Sequence, residues 1–186
     1  MSVIRAGTEL AYTVTCLEMT ARPAHPPPPL PADARLEAAR APPVWYFLAL
    51  YDAVGRDYEW VDRFSQDPAD LAAFVHSPEV SIHTLIRDGW PQGFFVLDWR
   101  EPGICDLAYF GLAPEAVGKG LGTALLQAAV SLGWDRPGVY RLTVNTCTLD
   151  HPRALGTYRK AGFVPVGTKD STRILTRDRD TARRSA

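Results

Sequence analysis

The sequence predicts a mixed α/β (α+β) fold, and three observations carry that prediction. Val80, Ile82, Thr84 and Ile86 recur at every second position, a turn signal begins at Asp88-Gly89, and residues 94–99 are rich in aromatic and β-branched side chains; together these read as an antiparallel hairpin. Residues 104–112, 121–132 and 139–147 follow as strand, helix and strand, an order that implies parallel pairing of the two strands. Between the first of those strands and the helix lies Val117-Gly118-Lys119-Gly120-Leu121-Gly122, a tight turn rich in glycine.

The remaining elements follow in chain order. Leu10, Tyr12, Val14 and Cys16 alternate with Glu9, Thr13 and Thr15, the pattern of a half-buried strand starting near Thr8. Residues 20–33 hold the run from Pro26 to Pro29 and Pro31, which cannot donate ladder hydrogen bonds and favours an extended loop. A stiff surface linker and a proline-motif ligand are the two readings of that loop. Val44, Phe47, Leu48, Tyr51 and Val54 mark a helical face ending at Gly55. Asp67 before Pro68 is an N-cap followed by proline at the first helical position, with Leu71, Phe74 and Val75 as the apolar stripe.

The turn after Asp88-Gly89 is expected to include Pro91 and Gly93. In the helix over 121–132, Leu121, Leu125, Leu126, Ala129 and Val130 face inward. Residues 152–161 read as a helix opened by Asp150 and closed by Gly162, after which 163–166 and 173–176 are expected to pair across 168–171. The tail, 178–186, is polar and expected to fray.

Composition limits the function classes. The 186 residues, 46% of them apolar, suit one domain over 1–186 with a sizeable core. A formal net charge of −1 offers no excess positive field for a phosphate polymer, so nucleic acid is not an expected partner. Cys16, Cys105 and Cys147 form no C-x-x-C pair, which gives neither a zinc framework nor a disulfide scaffold and fits a reducing cytoplasm. No basic segment followed by a sustained apolar stretch opens the chain, and no run approaches the roughly 18 apolar residues of a membrane span. A soluble, unexported protein without membrane partners is expected.

The glycine turn is the best clue to chemistry. Glycines let the backbone approach a ligand without Cβ interference, and a helix starting there presents free N–H groups and the positive end of its dipole to an anion such as a diphosphate. The spacing narrows which diphosphate. Lys119 lies between glycines and no Ser or Thr follows it directly, so the magnesium-binding hydroxyl of a nucleotide-hydrolysing loop is missing. From Gly118 the chain reads Gly120 and then Thr123, without an acidic residue about 20 positions on, which disfavours a dinucleotide fingerprint.

The segment Asp106-Leu107-Ala108-Tyr109-Phe110-Gly111-Leu112, the glycine turn, and the run from Asp150 through Ala154 and Tyr158 to Gly162-Phe163 together resemble the GNAT acyl-CoA-dependent N-acetyltransferases. The resemblance is most specific over 104–163. The family's loop, Gln/Arg-x-x-Gly-x-Gly/Ala, falls on Val117, Gly120 and Gly122, and Val117 departs from it by removing one polar side chain.

What the resemblance implies is a GNAT-like, mostly antiparallel sheet with one splayed parallel pair and helices on both faces. Acetyl-CoA would be the co-substrate, without a metal. The backbone of Phe110, Gly111 and Leu112 would bond the pantetheine arm like an added strand, and the backbone near Phe110 would polarise the thioester carbonyl. Val117, Gly118, Lys119, Gly120, Leu121, Gly122 and Thr123 would surround the diphosphate. Ala154 would flank the cofactor. Asn145 is either a contact to cofactor or amine or a polar strand end; His151 is either a donor to coenzyme A or a solvated loop residue.

By the same resemblance Tyr158 would contact the cofactor and protonate the departing thiolate, as a phenol neutral at pH 7 can. Asp106 is the first candidate for the base that takes the ammonium proton, with a plain strand carboxylate as its alternative, while Glu115 reads as solvent-facing. Tyr51, Tyr58 and Trp60 are candidates for the acceptor pocket, near Asp52, Asp57, Glu59 and Asp62, and core packing is the competing reading of those aromatic residues.

The function implied is acetyl transfer from acetyl-CoA to a primary amine, whether a small molecule, an amino acid or a peptide N-terminus, by direct attack in a ternary complex. The alternative is an acyl-CoA-binding sensor of the same fold without turnover. A cysteine acyl route through Cys147 near His151 is the third. Whether the chain pairs as a homodimer is left open by its sequence.

Overall fold

Each apolar pattern is converted into an element whose buried face matches it. The structure, a computed structural model, describes residues 3–180. In chain order it contains β1 (Val3–Ile4), β2 (Glu9–Met19), β3 (Ala34–Ala39), α1 (Val44–Gly55), α2 (Pro68–Val75), β4 (Val80–Arg87), β5 (Trp90–Asp98), β6 (Ile104–Leu112), α3 (Leu121–Asp135), β7 (Arg141–Cys147), α4 (Ala154–Lys160), β8 (Val164–Ile174) and β9 (Arg179–Asp180). Single 3-10 turns at Arg56–Tyr58, Asp62–Phe64 and Pro114–Ala116 lie in the connections.

Seven strands form one sheet in the order β3-β4-β5-β6-β7-β2-β8, and β1 pairs separately with β9. All neighbours are antiparallel except β6 and β7. The sheet separates two cores. Phe95 and Leu97 of β5 face the α3 side with Leu121, Leu125, Leu126, Ala129 and Phe163, whereas Phe94 and Val96 face Phe47, Tyr51 and Val54 of α1 and Phe74 of α2. A strand buried on both faces reads as a continuous apolar run, which is why 94–97 shows no polar alternation.

Three pairs join β6 to β7: Ile104 with Arg141, Cys105 with Leu142, and Asp106 with Thr143. Past them β6 stays with β5 and β7 with β2, so the two parallel strands part. A bulge accompanies the parting. Val96 opposes Tyr109 while Leu97 opposes Leu107, which makes Ala108 the extra residue; bulges bend the strand that carries them.

Several expectations are corrected. Residues 34–39 form a strand whose exposed, polar-interrupted sequence gave no clear period, yet it pairs along its length with β4. The hairpin turn is shorter than expected: Asp88 and Gly89, both at positive φ (54° and 80°), make it alone, and Pro91 lies in β5 beside a bulge, where the lack of a donor is tolerated. Helix α4 starts at Ala154, with Arg153 at its N-cap; Asp150 instead accepts from Thr146 Oγ1 and the Cys147 amide, both at 2.8 Å, and fixes the end of β7. The expected hairpin over 163–176 is one strand, β8, because β2 is long enough to pair with all of it. Asp67 caps α2 as expected, accepting from the amides of Ala69 and Asp70.

The first three residues of the polar tail also depart from expectation. Asp178 accepts from the Ala6 amide at 2.9 Å and pairs with Arg5, and Arg179 is buried, 3.0 Å from Glu59 Oε1 and with Nη2 donating to the Leu149 carbonyl. Residues 181–186 lie outside the described residues. Both side chains of the Arg179–Glu59 pair are 3% exposed, so removing one charge leaves the other buried without compensation. Arg179→Leu is expected to destabilise the fold by about 3–5 kcal/mol in denaturant unfolding. A change below 1 kcal/mol, on the order of an exposed pair's contribution, would remove the pair from the list of structural anchors.

Candidate active site

The gap between the parting strands opens into a cavity of about 690 Å³. It passes through the sheet. Leu121 of α3 and Ala154, Thr157 and Tyr158 of α4 bound it on one side, Tyr51 and Val54 of α1 with Trp60 on the other, and Tyr109, Phe110 and Asn145 come from the strands between. The bulge at Ala108 sets this arrangement: it shifts the alternation of β6, so that Tyr109 joins the aromatic cluster under α1 while Phe110 and Leu112 turn to the α3 side.

At one end the glycine turn closes onto α3. Gly118 and Gly120 have φ of +84° and +75°, and a Cβ built on either meets no atom within 4 Å. It is therefore the left-handed backbone, not tight packing, that requires glycine there, and the turn faces open space. Gly120 is the N-cap of α3 and supplies no side-chain cap bond, which leaves the first-turn N–H groups to a ligand. Val117, Gly118, Gly120, Leu121, Gly122 and Thr123 all line the cavity. This cradle fits a diphosphate.

Lys119 is the exception in that turn: it is not among the lining residues, and its ammonium lies 6.0 Å from the Trp90 ring centroid. Phe110, Gly111 and Leu112 line the cavity along the side of β6 that β7 has left. Asn145, His151 and Ala154 line the opposite wall. His151 Nδ1 accepts from the Arg153 amide at 3.1 Å, which assigns the ring hydrogen of the neutral tautomer to Nε2.

Tyr158 stands between Phe110 and Phe163, with ring centroids 6.0 and 6.1 Å away. Burial, reinforced by the negative charges of Asp150 and Asp106, pushes its phenol well above the ordinary tyrosine range and keeps the proton on Oη. Cys147 also lines the cavity, but burial and then Asp150 push its thiol up, which disfavours the thiolate that a cysteine acyl route needs.

Asp106 sits at the last position of β6 that pairs with β7, accepts from Thr143 Oγ1 at 2.7 Å, and is not among the lining residues. Burial raises its carboxyl, Thr143 partly opposes that, and Asp98 and Glu101 add to the rise. Glu115 is exposed.

On the acceptor side the sequence candidates Tyr51, Tyr58 and Trp60 all line the cavity. The aromatic residues are both core and wall: Tyr51 is buried and Trp60 packs so closely over Gly55 that a Cβ there would lie 2.3 Å from it. Burial pushes the Tyr51 phenol up to about 12. Among the nearby acids, Asp52 is engaged by Arg56, Glu59 by Arg179, and Asp62 by Arg173. Tyr12, Tyr109, Asp150, Arg153 and Arg173 also line the cavity, without a signal in the sequence that points to it. Tyr109 lay on the strand already identified, but only the bulge turns it this way; Arg173 and Tyr12 come from distant strands with no local signal.

The profile of the Acetyltransferase (GNAT) family matches residues 45–163. The chain belongs to this family. No characterised protein sequence matches it. Among solved structures, it is similar in fold to a GCN5-related N-acetyltransferase from Kribbella flavida, at TM-score 0.59 and 17% identity, over 86% of this chain and 56% of that one. A tandem GNAT protein from the clavulanic acid biosynthesis pathway matches at TM-score 0.61 and 17% identity, over 91% and 55%. An aminoglycoside acetyltransferase from an uncultured soil metagenomic sample matches at TM-score 0.56 and 15% identity, over 70% and 88%. This GNAT chain thus spans little more than half of the first two proteins. GNAT proteins generally use acetyl-CoA and act on amines. Among the described residues no group of three or more His, Cys, Asp or Glu is placed to hold a metal ion, and no helix is long and apolar enough to cross a membrane.

Because its raised pKa makes ionised Asp106 costly in the folded state, the cost is absent below the ordinary value of 3.8 and accumulates as pH rises through the raised value. Asp106→Asn is expected to raise the melting temperature at pH 7 and to lose that advantage as pH falls through the raised value towards 3.8. A variant less stable than the wild type at pH 7, measured by calorimetry, would show that the Thr143 bond outweighs burial.

Proposed function

We propose that this chain is an N-acetyltransferase that moves an acetyl group from acetyl-CoA to a primary amine by direct attack in a ternary complex. The observation that carries the reading is the junction of three features in one cavity: a strand edge released by the parting of β6 from β7, an uncapped helix N-terminus at Gly120, and the protonated phenol of Tyr158. When bound, acetyl-CoA supplies the acetyl group as a thioester and leaves as the thiol.

The chain's own residues divide the remaining work. The amides from Gly118 to Thr123 hold the diphosphate, where backbone donors make the loss of a polar side chain at Val117 tolerable. Lys119 contributes its amide to that cradle rather than its ammonium. The edge of β6 at Phe110, Gly111 and Leu112 orients the pantetheine arm as an added strand, with a main-chain donor aimed at the carbonyl oxygen. Asn145 and His151 Nε2 face this arm from the other wall, and Ala154 leaves room for it. Tyr158 Oη holds the proton destined for the departing sulfur.

The acceptor nitrogen must arrive neutral, so its ammonium proton must be taken by a base. Asp106 serves in that role through water, since Thr143 and the paired strands separate it from the cavity itself. Tyr51, Tyr58 and Trp60 form the acceptor wall.

Two variants test the reading. Tyr158→Phe is expected to keep acetyl-CoA affinity, measured by calorimetry, and to slow thiol release about 10- to 1000-fold across an amine panel; unchanged turnover removes the phenol from the mechanism. Gly120→Glu, which places bulk and negative charge in the open space at the N-cap, is expected to abolish detectable acetyl-CoA binding, and wild-type affinity would refute the diphosphate cradle. Acetyl-CoA binding without thiol release from the wild-type protein with any amine would instead assign the chain as a sensor.

A further inference from the structure

Where the cavity passes from the α3 side of the sheet to the α1 side, one side chain forms its wall. A Cβ built on Gly111 would collide with Val54 Cγ1, and Gly111 has no positive φ, so it is the close approach of α1 that requires glycine there. Val54 fills the place of the side chain that β6 lacks at 111. Both residues line the cavity, and Gly111 lies between Phe110 and Leu112 on the edge that β7 has left.

Val54 has little freedom to give way. It is 3% exposed, and a β-branched side chain in a helix is confined largely to one χ1 rotamer. Its neighbours on the cavity wall are restrained too: Trp60 rests on Gly55, the next residue of α1, and Arg63 Nε donates to the Tyr109 hydroxyl at 2.6 Å. Tyr51, one turn before Val54, is buried with it in the same apolar cluster. A rigid apolar wall measures length, because each added methylene of a ligand either finds room against it or collides.

Resting on the acetyltransferase reading above, we infer that Val54, seated on Gly111, is the residue that limits the transferred acyl group to acetyl. On that reading the thioester carbonyl faces the main chain near Phe110, so the carbons beyond it emerge one residue from Gly111, on the side of the sheet where Val54 stands. The amine approaches from the same side, and a tail longer than two carbons competes with both for one space. Val54 thereby sets specificity by its bulk and takes no part in the bond exchange.

The test is calorimetric titration of coenzyme A, acetyl-CoA and butyryl-CoA into the wild type, Val54→Ala and Val54→Ile, together with thiol release from both thioesters across an amine panel. The wild type is expected to use butyryl-CoA at least about tenfold less efficiently than acetyl-CoA. Val54→Ala removes two carbons from the wall and butyryl carries two more than acetyl, so the ratio of butyryl-CoA to acetyl-CoA affinity is expected to rise about tenfold in that variant, the size of burying two CH2 groups. Val54→Ile adds a methylene to the wall and is expected to weaken acetyl-CoA about fivefold or more relative to free coenzyme A.

Equal use of the two thioesters by the wild type, or an unchanged affinity ratio in a Val54→Ala protein that keeps the wild-type circular dichroism, would overturn the inference. Should Val54→Ala fail to fold, an unchanged preference for acetyl-CoA over coenzyme A in Val54→Ile overturns it instead. Failure of coenzyme A to bind the wild type defeats the acetyltransferase reading together with it. Coenzyme A binding with butyryl transferred as readily as acetyl defeats this inference alone.

Discussion

The rest of the molecule depends on β6 and β7 staying together for three residue pairs and then separating. Parallel neighbours ordinarily satisfy each other's backbone along their whole length, and an interior edge left unpaired is costly. Here the separation is maintained because each strand has a stronger commitment elsewhere: β6 follows β5 to Leu112, and β7 follows β2 to Cys147. The extra residue at Ala108 bends β6 at the point of departure, and its phase shift makes the two ends of the cavity chemically different. Without it, Tyr109 would face α3 and Phe110 would face α1, and neither the phenol of Tyr158 nor the ring of Trp60 would have its present neighbour.

Glycine and proline mark how this geometry was encoded. The turn that ends at Gly120 reverses the chain with left-handed residues and delivers α3 with its first amides pointing into the gap. Proline at position 91 is accommodated by the bulge at Gln92, whose side chain is buried and donates to the Arg87 carbonyl. In both places the conformational exception sits beside the cavity or on the strand that supports it.

Much of this was legible in the residues. The strand at 104–112, the helix after the glycine turn and the N-cap at Asp67 are local signals, written by periodicity and capping chemistry that act within a few positions. What was not legible is long-range. Residues 34–39 become a strand because β4 offers an edge, and β8 runs unbroken because β2 is equally long. Spacing predicts a helix cap at Asp150, yet its carboxylate turns back to Thr146 and Cys147. Of the site, the glycine turn, the tyrosine of the last helix and the aromatic residues at 51, 58 and 60 were visible. Tyr12, Tyr109 and Arg173 reach the cavity only through pairings and a bulge that no local pattern reveals.

The segment from 56 to 62 is strapped from behind by three arginines of the C-terminal region: Arg173 donates to the Glu59 carbonyl, Arg177 to the Arg56 carbonyl, and Arg179 pairs with the Glu59 carboxylate. Glu59 is held at φ 64°, a sparsely populated conformation for a residue other than glycine. The two-residue ladder of β1 with β9 carries Arg179, so its local opening loosens one of the three straps on the backbone that carries Tyr58 and Trp60. The β1–β9 ladder therefore shares one cooperative unit with the Tyr58 and Trp60 side of the cavity, and its opening is felt as slack in the pocket.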